Sequence, residues 1–349
     1  MKVVSAVKVG NMKDPDPGRR GKVAVLDRPC PPLGDEDIKV KVAYCAICGS
    51  DPHVVGGIFG WEPPFGLGHE ISGVVAELGP KATRRGFKVG DRVGGNFRRY
   101  CGTCYYCRNG QEQFCENVSE EPGMAEYLIW HESQLVKLPD DVSLKKGCLL
   151  EPVSIGVRVM DKTGMLIGRR VAVSGAGPIG LINLQLIKMF GATSLTMIEP
   201  NPQRRELARK FGADFLIDPS SQDVEREGMG ITGGLGYDLV IEASGAPKAA
   251  EAAIKVMANA GRLLYMAMYP NDYEMPLNLY AHCYKKEIEI TGSFVAPYAF
   301  PRAAQIMSRM DLDDFTDTVY DIDDPEGAFE AHLGGRHSKV IIRCNKDLD

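Results

Sequence analysis

Residues 171–192, VAVSGAGPIGLINLQLIKMFGA, constrain the fold more than any other stretch of the chain. A short β-branched run leads into Gly175, Gly177 and Gly180, and an apolar helix follows that stops at Gly191. Strand, glycine turn and helix in that order form a dinucleotide cradle: the glycines permit a tight turn, close approach to a pyrophosphate and close packing of helix on strand. Pro178 and Ile179 sit inside the same turn. The next strand, SLTMIEP, ends in Glu199, whose carboxylate can accept hydrogen bonds from ribose hydroxyls and would repel a 2′-phosphate. The expected coenzyme is therefore NAD. Arg204 suits stacking on an adenine ring, and Arg205 reads as part of a solvated helix face.

The alternation continues. Asn201 and Pro202 open a helix over QRRELARKFGA, strands follow at FLID, YDLVIEAS and RLLYMAM, and APKAAEAAIKVMANAG is expected as the helix between the last two. This is a doubly wound α/β pattern. The flanks differ: residues 1 to about 150 carry short Val-rich runs between Gly and Pro, such as DIKVKVAYCAI and ISGVVAELG, which read as β-strands joined by turns. Helices are expected near FPRAAQIMSRM and PEGAFEAHLGG, and the closing strand SKVIIRC is expected to rejoin the first lobe. The expected division is a β-rich domain of residues 1–152 and 293–349 around a coenzyme domain of residues 153–292.

Four of the ten cysteines fall in CGTCYYCRNGQEQFC, residues 101–115. Cys101, Cys104, Cys107 and Cys115 have the spacing C-x2-C-x2-C-x7-C, which lets the chain turn around one ion and return for a fourth thiolate. Four such sulfurs close a zinc tetrahedron and leave no position for substrate, so the site is read as structural. Iron–sulfur ferredoxin runs space the last cysteine by three and follow it with Pro, whereas Cys115 follows a gap of seven and precedes Glu116. A chain of 349 residues with clustered cysteines has little need of disulfides.

A second group is scattered. YCAICGSDPHVVGG supplies Cys48, Ser50, Asp51 and His53, FGLGHEISGVV supplies His69 and Glu70, and LLEPVSIGV supplies Glu151. One thiolate, one imidazole and carboxylates suit a zinc with an open or exchangeable position, able to act as a Lewis acid. Asp51 is better placed to hold the ring of a ligating histidine than to ligate. A proton leaving a dry pocket needs a path to water, which Ser50 and His53 can supply.

A net charge of −5 without a long basic run argues against nucleic acid or an anionic membrane as the main partner. The most apolar helical stretch is interrupted by Lys188, and MKVVSAVKVGN has no apolar leader core, so a cytoplasmic protein is expected.

CGSDPH, GHEISGVVAELG, KVGDRV, the four-cysteine run, EPVSIGV and SGAGPIG occur in this order, and together they resemble the zinc-dependent medium-chain dehydrogenase family, nearest its sorbitol and threonine dehydrogenase branch. The resemblance covers nearly the whole chain. It implies a GroES-like catalytic domain, a Rossmann coenzyme domain, an NAD-linked reaction between a small alcohol and its ketone, two zinc ions per chain, and a homodimer or homotetramer. It implies further that Cys48, His69 and Glu70 are catalytic zinc ligands, that Glu151 is a fourth or exchanging ligand, and that Ser50 and His53 form the proton relay. Ile179, Glu199 and Arg204 then resemble coenzyme contacts, and Met266, Met268, Phe294 and Val295 fall near the nicotinamide. Two departures count against a polyol substrate. Arg158 stands where the branch has a histidine, and Phe294, Val295 and Ala296 stand where sorbitol dehydrogenases tend to place an arginine. Arg158 is expected in a salt bridge on a partly exposed helix. An aminoalcohol or sugar-phosphate substrate is the alternative, and a catalytically silent, dinucleotide-sensing zinc protein is the rival from another class.

Overall fold

The computed structural model describes residues 1–82 and 84–348, which form two compact units, Met1–Ser154 with Pro297–Asp349 and, between them in sequence, Ile155–Ala296.

The first unit is built on the strand Asp37–Ala46. It pairs antiparallel with Glu70–Leu78, with Tyr127–His131 and with the late strand Ile341–Arg343. That last pairing, Ile341 against Ala46 and Arg343 against Tyr44, brings the end of the chain back to the first lobe. Alternating residues of the central strand point into one core, where Ile38, Val40 and Val42 meet Ile71, Leu128, Trp130 and Phe329. A smaller three-stranded sheet joins Lys22–Asp27, Lys2–Lys8 and Phe65–Gly66.

The second unit holds a six-stranded, all-parallel sheet. Counting its strands along the chain, the spatial order is third, second, first, fourth, fifth, sixth, which is the doubly wound order that binds dinucleotides where the strand order reverses. The first strand, Arg170–Ser174, is buried from Val171 on, and the helix Pro178–Met189 buries Leu181, Ile182, Leu184, Leu186 and Ile187.

Two elements differ from the sequence reading. The helix expected over residues 246–261 ends at Lys255, and Met257–Tyr265 is strand. Pairing with Tyr237–Glu242 overrides the helical run of alanines, and a register irregularity beside Tyr237 accommodates Ala260 at φ +53°. A helix at Val224–Ile231 was hidden by its two glycines. Asp223 caps it, and Gly228 lets it approach Tyr237 and Val256, which a Cβ would meet at 3.1 Å.

Candidate metal and coenzyme sites

Ala46 pairs with Glu70, so the chain leaving the central strand carries Cys48 alongside the incoming His69. Gly68 precedes that histidine at φ +86°, where a Cβ would strike Met124 and the sulfur of Cys45. One ligand atom from each of Cys48, His69 and Glu70 lies within 4.8 Å of the others. The Cys48 N–H donates to Asp51 Oδ2 at 2.8 Å, and Asp51 Oδ1 faces His69 Nδ1 at 3.7 Å. Phe97 backs the imidazole with ring centroids 4.8 Å apart.

The electrostatics of this group suit a cation. Burial alone would lower the His69 pKa, but the Cys48 sulfur, Asp51 and Glu151 outweigh it and raise the ring well above its usual range. Burial raises the Asp51 carboxyl, and it pushes Glu151 up to about 7. Glu70 is fully buried; its Oε1 accepts from Lys339 at 2.6 Å, while its Oε2 is buried with no partner. An orphaned carboxylate oxygen beside a thiol and an imidazole is the donor chemistry of zinc, and the residues fit the ion. Glu151 is buried within electrostatic reach of His69 but outside the group of three, so the carboxylate grouped with Cys48 and His69 is that of Glu70.

Ser50 and His53 occupy one turn, at and just inside the start of the short helix Asp51–Val55. Ser50 is half-buried and makes no side-chain cap, and His53 is exposed.

Sequence reasoning missed Lys339, whose partner is 269 residues away in the chain. The available signal was a lysine at the head of a wholly apolar run, since a cation entering a buried strand requires an anion.

The four thiols also converge. Sulfurs of Cys101, Cys104, Cys107 and Cys115 lie within 4.8 Å of one another, and those of Cys101 and Cys107 are 4.0 Å apart. A Zn–S bond of about 2.3 Å gives a tetrahedron with sulfurs about 3.8 Å apart, so the spacing fits zinc. No cysteine is in a disulfide among the described residues. Backbone N–H groups already point at the sulfurs, from Cys104 to Cys101 and from Cys101 to Cys115, both at 3.3 Å. Donors from Thr103 lower the Cys101 thiol to about 5, while burial pushes Cys107 up to about 12.

In the second unit each glycine of the turn has its own reason. Gly175 lies at φ +97° against Ser244, and a Cβ on Gly180 would fall 1.8 Å from the Gly175 carbonyl oxygen. A Cβ on Gly177 would meet nothing within 4 Å, which is the open side a phosphate could approach. Gly177 caps the helix, Pro178 supplies its first turn, and Ile179 is half-buried beside it. The Glu199 carboxylate is buried and accepts from the N–H of Ala176 in the turn at 2.7 Å and from that of Asn201 at 2.9 Å. Arg204 N–H donates to the capping Asn201 side chain.

Arg205 is not a solvated face: its guanidinium donates to the carbonyls of Glu199 and Pro200 at 2.7 Å and pairs with Asp218 at 3.1 Å, holding the strand end. Nor is Arg158 in a salt bridge; its Nε is buried without a partner, and no described carboxylate reaches it. Met266 is half-buried and its sulfur accepts from Asn183, while Met268 and Phe294 are exposed. Val295 is held at φ +42°, a strained setting for a β-branched residue.

Comparison with known proteins agrees with this geometry. Residues 34–140 match the alcohol dehydrogenase GroES-like domain and residues 178–309 the zinc-binding dehydrogenase domain. The chain is 34% identical to L-threonine 3-dehydrogenase of Pyrococcus horikoshii, over 93% of this chain and 96% of that protein. It is 32% identical to D-arabitol-phosphate dehydrogenase of Enterococcus avium, over 93% and 95%. A zinc-binding dehydrogenase of Sinorhizobium meliloti 1021, solved with NADP, superposes with a TM-score of 0.90 at 27% identity, covering 98% of each chain. The chain belongs to the zinc-dependent medium-chain dehydrogenase family. It is an oxidoreductase of the alcohol dehydrogenase type, using zinc and a nicotinamide coenzyme. No helix among the described residues is long and apolar enough to cross a membrane.

Proposed function

We propose that this chain oxidises the secondary alcohol of a small polyol or related hydroxy compound with NAD as hydride acceptor. The observation that carries the reading is the convergence of Cys48, His69 and Glu70. When bound, zinc would supply Lewis acidity to an alcohol oxygen and the nicotinamide a site for hydride. Cys48, His69 and Glu70 would hold that ion, and Glu151 would serve as an exchanging ligand. Asp51 fixes the Cys48 loop, and Lys339 holds the Glu70 carboxylate in place through its Oε1. Ser50 Oγ would accept the hydroxyl proton as it hands its own on through a ribose hydroxyl of the coenzyme to exposed His53, which would release a proton to water.

The glycine turn and Ile179 would hold the pyrophosphate, Glu199 the ribose and Arg204 the adenine, with Met266, Met268, Phe294 and Val295 against the nicotinamide. NAD is preferred because Glu199, buried at the end of the second strand of the sheet, would meet an added 2′-phosphate with negative charge. Cys101, Cys104, Cys107 and Cys115 would hold a second, structural zinc. A homodimer or homotetramer in the cytoplasm, where cysteines outside disulfides stay reduced, completes the reading.

The alternative substrate classes are those of the relatives, an aminoalcohol such as threonine or a polyol phosphate. A panel of polyols, sugar alcohols, threonine and sugar phosphates, followed by NADH absorbance with each coenzyme, tests the whole. Turnover of at least one class with NAD is expected. Tight NADH binding without turnover of any would instead identify a coenzyme sensor.

A further inference from the structure

A cavity of about 650 Å³ opens in the first unit, lined in part by Tyr44, Arg92, Ser143, Lys145 and Arg343. That volume lies in the range of small-molecule sites, roughly 300–1,000 Å³. Its charge is one-sided. Arg92 donates to the carbonyls of Val142 at 2.7 Å and Pro139 at 2.6 Å and makes no ion pair among the described residues. Lys145 makes none either, although its neighbour Lys146 pairs with Asp313 at 2.8 Å. Arg343 pairs with Asp321, and that one carboxylate also takes Lys346 at 3.1 Å. Ser143 Oγ accepts the Lys146 N–H, which leaves the hydroxyl proton to donate elsewhere. So three cations, Arg92, Lys145 and Arg343, line a concavity that has no acidic side chain in its own lining among the described residues, in a chain whose net charge is −5.

The geometry points to a binding site here for a small multivalent oxyanion, a phosphate, pyrophosphate or tricarboxylate. Such a ligand supplies several anionic oxygens at once, which matches separated cations better than a single carboxylate would. Leu144, Val319 and Leu348 give the lining an apolar side, but a wholly apolar ligand would take water from Lys145 and offer it no partner in return.

The site is joined to the metal group through one hydrogen-bonded ladder. Arg343 pairs with Tyr44 and Ile341 with Ala46, and the Ile47 N–H then donates to the Val340 carbonyl at 2.9 Å. The next residues are Lys339 and Cys48. Four residues of strand at about 3.3 Å each separate the two ends. An anion clasped at Arg343 stiffens the strand pair that carries Cys48 and Lys339.

Thermal unfolding at matched ionic strength in chloride, orthophosphate, pyrophosphate and citrate tests this without relying on turnover, so it stands or falls separately from the proposed reaction. A saturable rise in Tm of about 5 °C is expected at a hundredfold excess over Kd. Amide exchange should slow at Ile47 and at residues 341–344. Lys145→Ala and Lys145→Glu should abolish the rise while leaving Tm in chloride unchanged, and Lys248→Ala, at an exposed lysine of the second unit, should keep it. A larger effect of pyrophosphate marks the ligand as phosphoryl, and a larger effect of citrate marks it as a polycarboxylate. No rise, a rise without saturation, or an equal rise in Lys145→Glu overturns the site.

Discussion

Lys339 Nζ meets Glu70 Oε1 at 2.6 Å with both side chains almost wholly out of water, at 2% and 1% exposure. Burying such a pair is justified only if the second carboxylate oxygen is also answered, and Glu70 Oε2 has no protein partner. Lys339→Met should therefore cost about 3–5 kcal/mol in zinc-depleted protein, by analogy with other buried pairs that lose one member. The loss should be smaller after zinc is restored, because the ion then neutralises Glu70. Equal losses by thermal unfolding in the two states would remove Glu70 from the metal group. At the other site, Glu199→Ala should raise kcat/KM with NADP relative to NAD by at least about tenfold, since one carboxylate facing a 2′-phosphate is removed. Steady-state kinetics with both coenzymes decide it, and an unchanged ratio would assign selection to Arg204.

Among the elements, the glycine turn separates packing from binding. Gly180→Ala forces a Cβ to within 1.8 Å of a carbonyl oxygen, so it should lower Tm and weaken NADH together. Gly177→Ala has open space and an ordinary backbone at φ −70°, so Tm should hold while NADH affinity, read by fluorescence, falls about tenfold or more. Neighbouring strands are pinned by Asp238, which accepts from the Arg170 side chain at 2.8 and 3.0 Å and from its N–H at 2.8 Å. Arg170 holds this carboxyl below its ordinary 3.8. The stabilisation is thus complete above that ordinary value and lost as pH falls through the depressed native one. Asp238→Asn should destabilise the protein at neutral pH and flatten the acid limb of its stability curve below about pH 4. The turn was readable because its constraints are local: strand, glycines and helix cap are consecutive. The end of the helix at Lys255 and the helix at Val224–Ile231 were not, because strand pairing and the approach of Tyr237 decide them from a distance.

Across the whole molecule, the legibility of each ligand group follows its span. The four thiols fall within fifteen residues and can be read from spacing alone. Cys48, His69 and Glu70 needed the antiparallel ladder to meet, and Lys339 needed the return of the chain's last strand. The same difference separates what each metal would do. If both sites load, metal analysis should find two zinc ions per chain. A closed four-thiolate site contributes directly to folding, because the unfolded chain offers no such tetrahedron. Cys104→Ser should then lose one ion and lower Tm by several degrees, with activity falling only as the fold is lost. Cys48→Ser removes one member of a candidate ligand group set between two sheet-borne segments that pair without the ion. Turnover should drop below detection while Tm and NADH affinity stay near the parent. Should Cys104→Ser keep full stability while losing turnover, or Cys48→Ser unfold, the catalytic and structural roles have been given to the wrong clusters.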